Sequence, residues 1–153
     1  MKQDAIKALK ILHLSIAGSL VAGILVLALV ADGPVVDAAM GRTLQAVSVV
    51  LSVGVIWMGF NLFKRKLLAA RNSSEAGPVR LSLFRTAYII WWAMIELPGL
   101  FAAICFFLTG NYAFLVLAGF HAILLLLFRP RKANIIVLLR LTSDDVAMLE
   151  GKG

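Results

Sequence analysis

Glu96 stands inside the run Ile89-Ile90-Trp91-Trp92-Ala93-Met94-Ile95-Glu96-Leu97-Pro98-Gly99. An ionised side chain at the centre of a bilayer costs about 2.5–3.5 kcal/mol on insertion scales. Protonation avoids part of that cost. Such a residue by default faces the protein interior or a water-filled cavity, and it suggests a proton or ion pathway. Pro98 has no N–H, so the carbonyl of Met94 loses its helical partner. Gly99 leaves room for another group to approach. A carboxylate, a freed carbonyl and a serine hydroxyl are oxygen ligands. They suit a cation, or a protonated carboxyl donating to a carbonyl. Ser52 lies at about the depth of Glu96. His121 lies within about 6–7 Å of that depth at 1.5 Å per residue, so a Glu–His proton relay is conceivable. Glu96, Ser52, Met94 and His121 therefore form the candidate ion or proton site. The plainer alternative is interhelical glue, with a neutral Glu96 bonded to a neighbouring helix and His121 making one hydrogen bond. His13 falls nearer an interface and suggests no special role.

These residues need helices to hold them, and composition says which kind. Of 153 residues, 61% are hydrophobic and 15% charged, with a mean hydropathy of +0.95. A soluble domain is about 45–50% apolar and about 25% charged, so the excess points to an integral membrane protein. It excludes disorder. Net charge +7 would suit a nucleic-acid binder, but here the basic residues sit between long apolar runs instead of covering a soluble face. A span needs about 20 apolar residues. Four stretches qualify: about 11–31, 43–63, 87–109 and 112–128, the last near the short limit. We expect an all-α membrane domain over 1–130 and a basic, amphipathic tail over 131–153. The first span is longer than a signal-peptide core of about 7–15 residues, so it reads as a true helix.

Basic residues alternate between ends. Lys2, Lys7 and Lys10 precede the first span. Lys64, Arg65, Lys66, Arg71, Arg80 and Arg85 lie between the second and third. Arg129, Arg131, Lys132 and Arg140 follow the fourth. The first loop has Asp32 and Asp37 with only Arg42, and the third is a Gly110-Asn111 turn. The positive-inside rule puts both termini and the 64–85 segment in the cytoplasm, and the expected location is the inner (plasma) membrane. Trp57, Trp91 and Trp92, with Arg85 and Arg129, read as interfacial anchors. Ser15, Ser19 and Gly23 share a face of the first span, and Gln45, Ser48 and Ser52 a face of the second. Small residues mark helix contacts in lipid, so Ser15, Ser19, Gly23, Ser48 and Pro98 are expected packing positions. The lone Cys105 reads as a buried, inert thiol. In the tail, the apolar run 135–139 is too short to span and suits a membrane surface or a partner. Ser143 reads as the N-cap of a closing helix that ends at Gly151.

The stretch Leu83-Phe84-Arg85-Thr86, with Glu96 ten residues later and Pro98 after it, resembles the rotor proteolipid (subunit c) of rotary ATP synthases. That family is a helical hairpin with a basic cytoplasmic loop and a mid-membrane acid. The preceding Lys64-Arg65-Lys66…Arg71-Asn72…Gly77-Pro78 fits such a loop. The likeness covers residues 54–100. It implies that Glu96 binds a proton or sodium ion and that copies form a ring. The chain departs from the family in having only Gly54 and Gly59 in the preceding helix, and in its first and fourth spans.

The expected function is a small, oligomeric, ion- or proton-handling membrane protein. The alternative is a structural subunit or assembly factor of a larger membrane complex. The expected partners are the lipid bilayer and other copies or subunits, with no nucleic acid. No cofactor, metal site or enzyme activity is expected: HExxH, GxSxG, a DxxxD pair and a P-loop are all missing from the sequence.

Overall fold

A computed structural model describes residues 3–150, and all regular structure in it is helical. Lys2 and Gly151, used above as a flanking charge and a helix end, lie outside the described residues. The elements are α1 (Gln3–Val30), α2 (Ala38–Asn72), α3 (Gly77–Thr109), α4 (Tyr112–Leu127), α5 (Lys132–Leu139) and α6 (Ser143–Glu150). Three of them, α1, α2 and α3, are long and apolar enough to cross a membrane, and a fourth crossing exists if α4 and α5 form one span bent by 74°.

Capping chemistry sets the boundaries. Asp37 starts α2, its carboxylate accepting from the Met40 N–H at 2.7 Å. Asn111 starts α4 in the same way through Ala113. Gly110, at φ 64°, ends α3, because glycine enters the left-handed region without a Cβ clash. The backbone N–H groups of Val35 and Val36 then donate to the Leu108 carbonyl, tying the α1–α2 connection to the end of α3. We call this the loop end. The opposite, basic end differs from a simple polar loop. Residues 64–72 and 77–86 are helical, so α2 and α3 run on as a hairpin joined only through residues 73–76.

α3 is the hub. It packs against α1, α2 and α4, and half of its most apolar window is buried, against 17% for α1 and 22% for α2. It approaches α2 tightly at Gly59, where an added Cβ would stand 3.0 Å from Met94 and 3.1 Å from Trp91. It approaches α4 tightly at Gly99, where a Cβ would meet the Cβ of His121 at 2.9 Å. The room left by Gly99 is thus filled by His121 and Leu20.

The core is densest toward the basic end. There Phe63, Phe84, Tyr88, Trp91 and Trp92 are buried together, with Phe128 against them. This corrects the assignment of two anchors. Trp91 and Trp92 are 1% and 0% exposed, not interfacial. Consecutive helical residues point about 100° apart, yet α3 is surrounded on enough sides to bury both. Trp57, at 71% exposure, remains outward-facing, as do Arg85 and Arg129.

The segment after Pro130 folds back on its own chain. Ile135 and Leu139 enter the main core, and α5 and α6 pack on α2 and α3. The apolar run therefore covers the hairpin itself. Thr142, not Ser143, caps α6: its hydroxyl accepts from the Asp145 N–H and the Asp145 carboxylate accepts from the Thr142 N–H, a reciprocal capping box.

Candidate functional site

Glu96 bonds to α1. The Ser19 hydroxyl lies 2.8 Å from Oε1 of Glu96 and also 2.8 Å from the Ile16 carbonyl. Back-bonding to a carbonyl one turn earlier is a local habit of helical serine. The carboxyl is half-buried, at the edge of the α1–α3 seam.

A hydroxyl has one proton to donate. Two arrangements meet these distances. In one, the proton is shared between the carbonyl and a carboxylate. In the other, the Ser19 proton goes to Ile16 and a protonated Glu96 donates to the Ser19 oxygen. The Ile16 carbonyl lies inside α1 and keeps its helical N–H donor in both, so the second differs in adding a carboxyl proton to the chain of bonds.

The other candidate ligands turn elsewhere. Ser52 and His121 meet across α2 and α4, Oγ to Nε2, at 3.1 Å. Both are buried, and Nδ1 of His121 lacks a hydrogen-bond partner among the described residues. The Met94 side chain packs on Gly59. No hydrogen bond links Glu96 to His121 among the described residues, and no cluster of three or more His, Cys, Asp or Glu side chains is placed there to hold a metal. Ser52 and His121 thus pair with each other, while Glu96 pairs with Ser19.

The packing residues divide similarly. Gly23 faces Leu100, where a Cβ would make ordinary contact at 3.4 Å. Ser19 belongs to the carboxyl pair, while Ser15 is exposed. Ser48 is buried and donates to the Cys105 sulfur at 3.6 Å. Pro98 is fully buried.

Two polar residues have structural roles that sequence reasoning missed. His13 is 4% exposed and donates from Nε2 to the Leu125 carbonyl at 2.9 Å. Its ring packs edge-on against Trp92, whose indole N–H donates to the Phe128 carbonyl. Both acceptors lie at the end of α4, where helical donors run out and the Leu125 carbonyl keeps only an i+3 bond from the Phe128 N–H. Residues of α1 and α3 therefore close the end of α4. The hint lay in the placement of Pro130 soon after α4, which leaves carbonyls to be satisfied from outside.

Arg80 is the second. It is 9% exposed, and its guanidinium donates to the carbonyls of Ala70, Arg71 and Leu139 and pairs with Asp145 at 3.5 Å. The final carbonyls of α2 and α5 and the first turn of α6 share one cation. Asp145 is held below the usual carboxylate range, first by the Thr142 N–H, then by the Thr142 hydroxyl and by Arg80. Among so many basic residues at this end, nothing in sequence distinguishes Arg80 from a topology signal.

A groove runs along the α2–α4 seam. Near the loop end is a mouth of about 370 Å³ that includes Asp37, Arg42, Gln45 and Asn111. Gln45 also lines the next hollow, of about 360 Å³. Val49, Leu117 and Phe120 join that hollow to a third, of about 490 Å³, which reaches Trp57 and Phe60. Ser52 touches this last, largely apolar part.

Comparison with protein-family models, curated proteins and solved structures finds no match.

Proposed function

We propose that this chain is a multi-pass membrane protein of the structural or assembly-subunit type, in which Glu96 is a neutral interhelical tie. Its long apolar helices support the membrane reading. The basic residues at one end support placing both termini and the α2–α3 hairpin in the cytoplasm, with the plasma (inner) membrane as the location.

The observation that carries the proposed role of Glu96 is the double 2.8 Å approach of Ser19 to Ile16 and Glu96. A neutral carboxyl can take part in that chain of hydrogen bonds and avoids an ion among apolar side chains. The pairing of Ser52 with His121 instead of Glu96 also favours a tie over a coordination shell.

The test is Glu96→Gln, since an amide N–H can donate to Ser19 as a protonated carboxyl does. The variant should keep the wild-type fold and stability, and infrared difference spectra should lose a neutral-carboxyl band. Proton or sodium flux in proteoliposomes should not depend on Glu96. Flux that vanishes in a folded Gln variant would overturn this reading.

A second reading is a homo-oligomeric proton- or sodium-handling assembly of the kind implied by the subunit c resemblance. It is favoured by the position of the Glu96–Ser19 pair at a half-exposed seam, where another copy would have access. The same flux measurement, with the oligomeric state in lipid, decides between the two.

A further inference from the structure

From the α2–α4 groove we infer a binding site for one phospholipid with a zwitterionic headgroup. The inference rests on the membrane reading above.

The groove is graded along its length. Its mouth carries one charge of each sign, Arg42 and Asp37, with the side chains of Gln45 and Asn111 beside them. Arg42 is exposed and has no ion-pair partner among the described residues. Asp37 uses one carboxylate oxygen to cap α2. A phosphate diester at Arg42, with an ammonium toward Asp37, matches this pair of charges. A purely anionic headgroup would leave the acid facing like charge.

Below the mouth, the walls turn apolar. From Arg42 to Ser52 is ten residues of helix, about 15 Å at 1.5 Å per residue, which is half of a hydrocarbon core about 30 Å thick. The acyl chain of one leaflet therefore reaches from a headgroup at Arg42 to the level of the Ser52–His121 bond. The walls it follows, Val49 and Val53 on α2 and Val116 and Phe120 on α4, are 51%, 66%, 73% and 50% exposed. The lower hollow, around Ile56, Trp57 and Phe60, leaves space for a longer chain.

The groove exists because α2 and α4 are both held by α3 and barely by each other. Their direct contact includes the Ser52–His121 bond at the floor. An acyl chain would cover that bond and stitch the outer edges of the two helices.

The full chain is purified from membranes in mild detergent and delipidated. It is then offered phosphatidylethanolamine, phosphatidylcholine or phosphatidylglycerol of one acyl composition. Native mass spectrometry counts retained lipid. One phosphatidylethanolamine or phosphatidylcholine should be retained per chain, about tenfold more tightly than phosphatidylglycerol. Arg42→Gln should remove the preference. Val49→Trp should abolish retention by filling the trough, while Val26→Trp, on the exposed face of α1, should leave it unchanged. Equal retention of all three lipids, preference for phosphatidylglycerol, or retention unaffected by both groove variants would overturn the site. Alkaline extraction of the membranes is scored separately. A chain released by alkali refutes the membrane reading, whereas a chain that stays but retains no selective lipid refutes only the groove.

Discussion

Ser19 and Glu96 are 77 positions apart in sequence and 2.8 Å apart in the fold, and their bond crosses from α1 to α3. Interhelical hydrogen bonds between membrane helices average about 0.6 kcal/mol and reach about 1.7 kcal/mol. A double-mutant cycle over Ser19→Ala and Glu96→Leu, each of which removes the bond, should return a coupling in that range. Thermal unfolding in detergent measures it. A coupling of zero would mean that the two groups meet without stabilising the helix pair.

Gly99 and Gly54 form a matched pair for testing the hub. A Cβ at Gly99 meets the Cβ of His121 at 2.9 Å, a contact that has to shift α4. Gly99→Ala should destabilise by about 1–3 kcal/mol, the usual range for overpacking. At Gly54 nothing lies within 4 Å, and alanine there should be neutral or slightly stabilising. Equal midpoints for the two variants would argue against the close α3–α4 approach.

His13→Leu should remove the side-chain donor of the Leu125 carbonyl and leave it only the Phe128 N–H. The expected cost is about 0.5–1.5 kcal/mol, that of one net hydrogen bond. His13→Gln, which retains an N–H, should recover part of it. If leucine is as stable as the wild type, His13 is not needed to close α4.

Arg80→Ala should free α5 and α6. Limited proteolysis after the α5–α6 connection reads this directly, with cleavage faster than in the wild type. The pH dependence follows from Asp145, whose native carboxyl titrates below its unfolded value of about 3.9. A depressed acid contributes stability above the unfolded value and loses it as pH falls through the native one. The tail should stay docked near neutrality and loosen only in acid. Asp145→Asn should weaken docking at neutral pH and flatten the acid transition.

Arg140 ends α5 with φ 49° and ψ 51°, a left-handed conformation that costs a residue with a Cβ about 1–2 kcal/mol. Arg140→Gly should therefore raise the stability of the docked tail, visible as slower proteolysis. Faster proteolysis would show that the arginine side chain matters more than its backbone.

The apolar lengths were legible in sequence because a membrane helix needs only a long run without charge. Directions around a helix were not. Depth counting paired Glu96 with Ser52, but depth leaves rotation free, and rotation turns Glu96 toward Ser19 of α1. Ser19 was visible as a small residue on a packing face, though not as the partner of an acid. Trp91 and Trp92 misled for a related reason: their distance from the helix end suits an interface, while their burial depends on three neighbouring helices. Arg80 was hidden among similar charges, and its distinction is the set of free carbonyls that converge on it.

The shortness of α4 has a consequence for the surrounding lipid. Its 16 residues give a length of about 24 Å, while the 35 residues of α2 give about 52 Å. Where α4 alone makes the fourth crossing in the orientation proposed above, the bilayer beside it would have to thin by several ångströms or draw in shorter acyl chains. Beside α2 it meets no such demand. Such a crossing would impose two thicknesses on one membrane, and the cost of that mismatch, fractions of a kcal/mol per ångström, would favour partition into thinner regions.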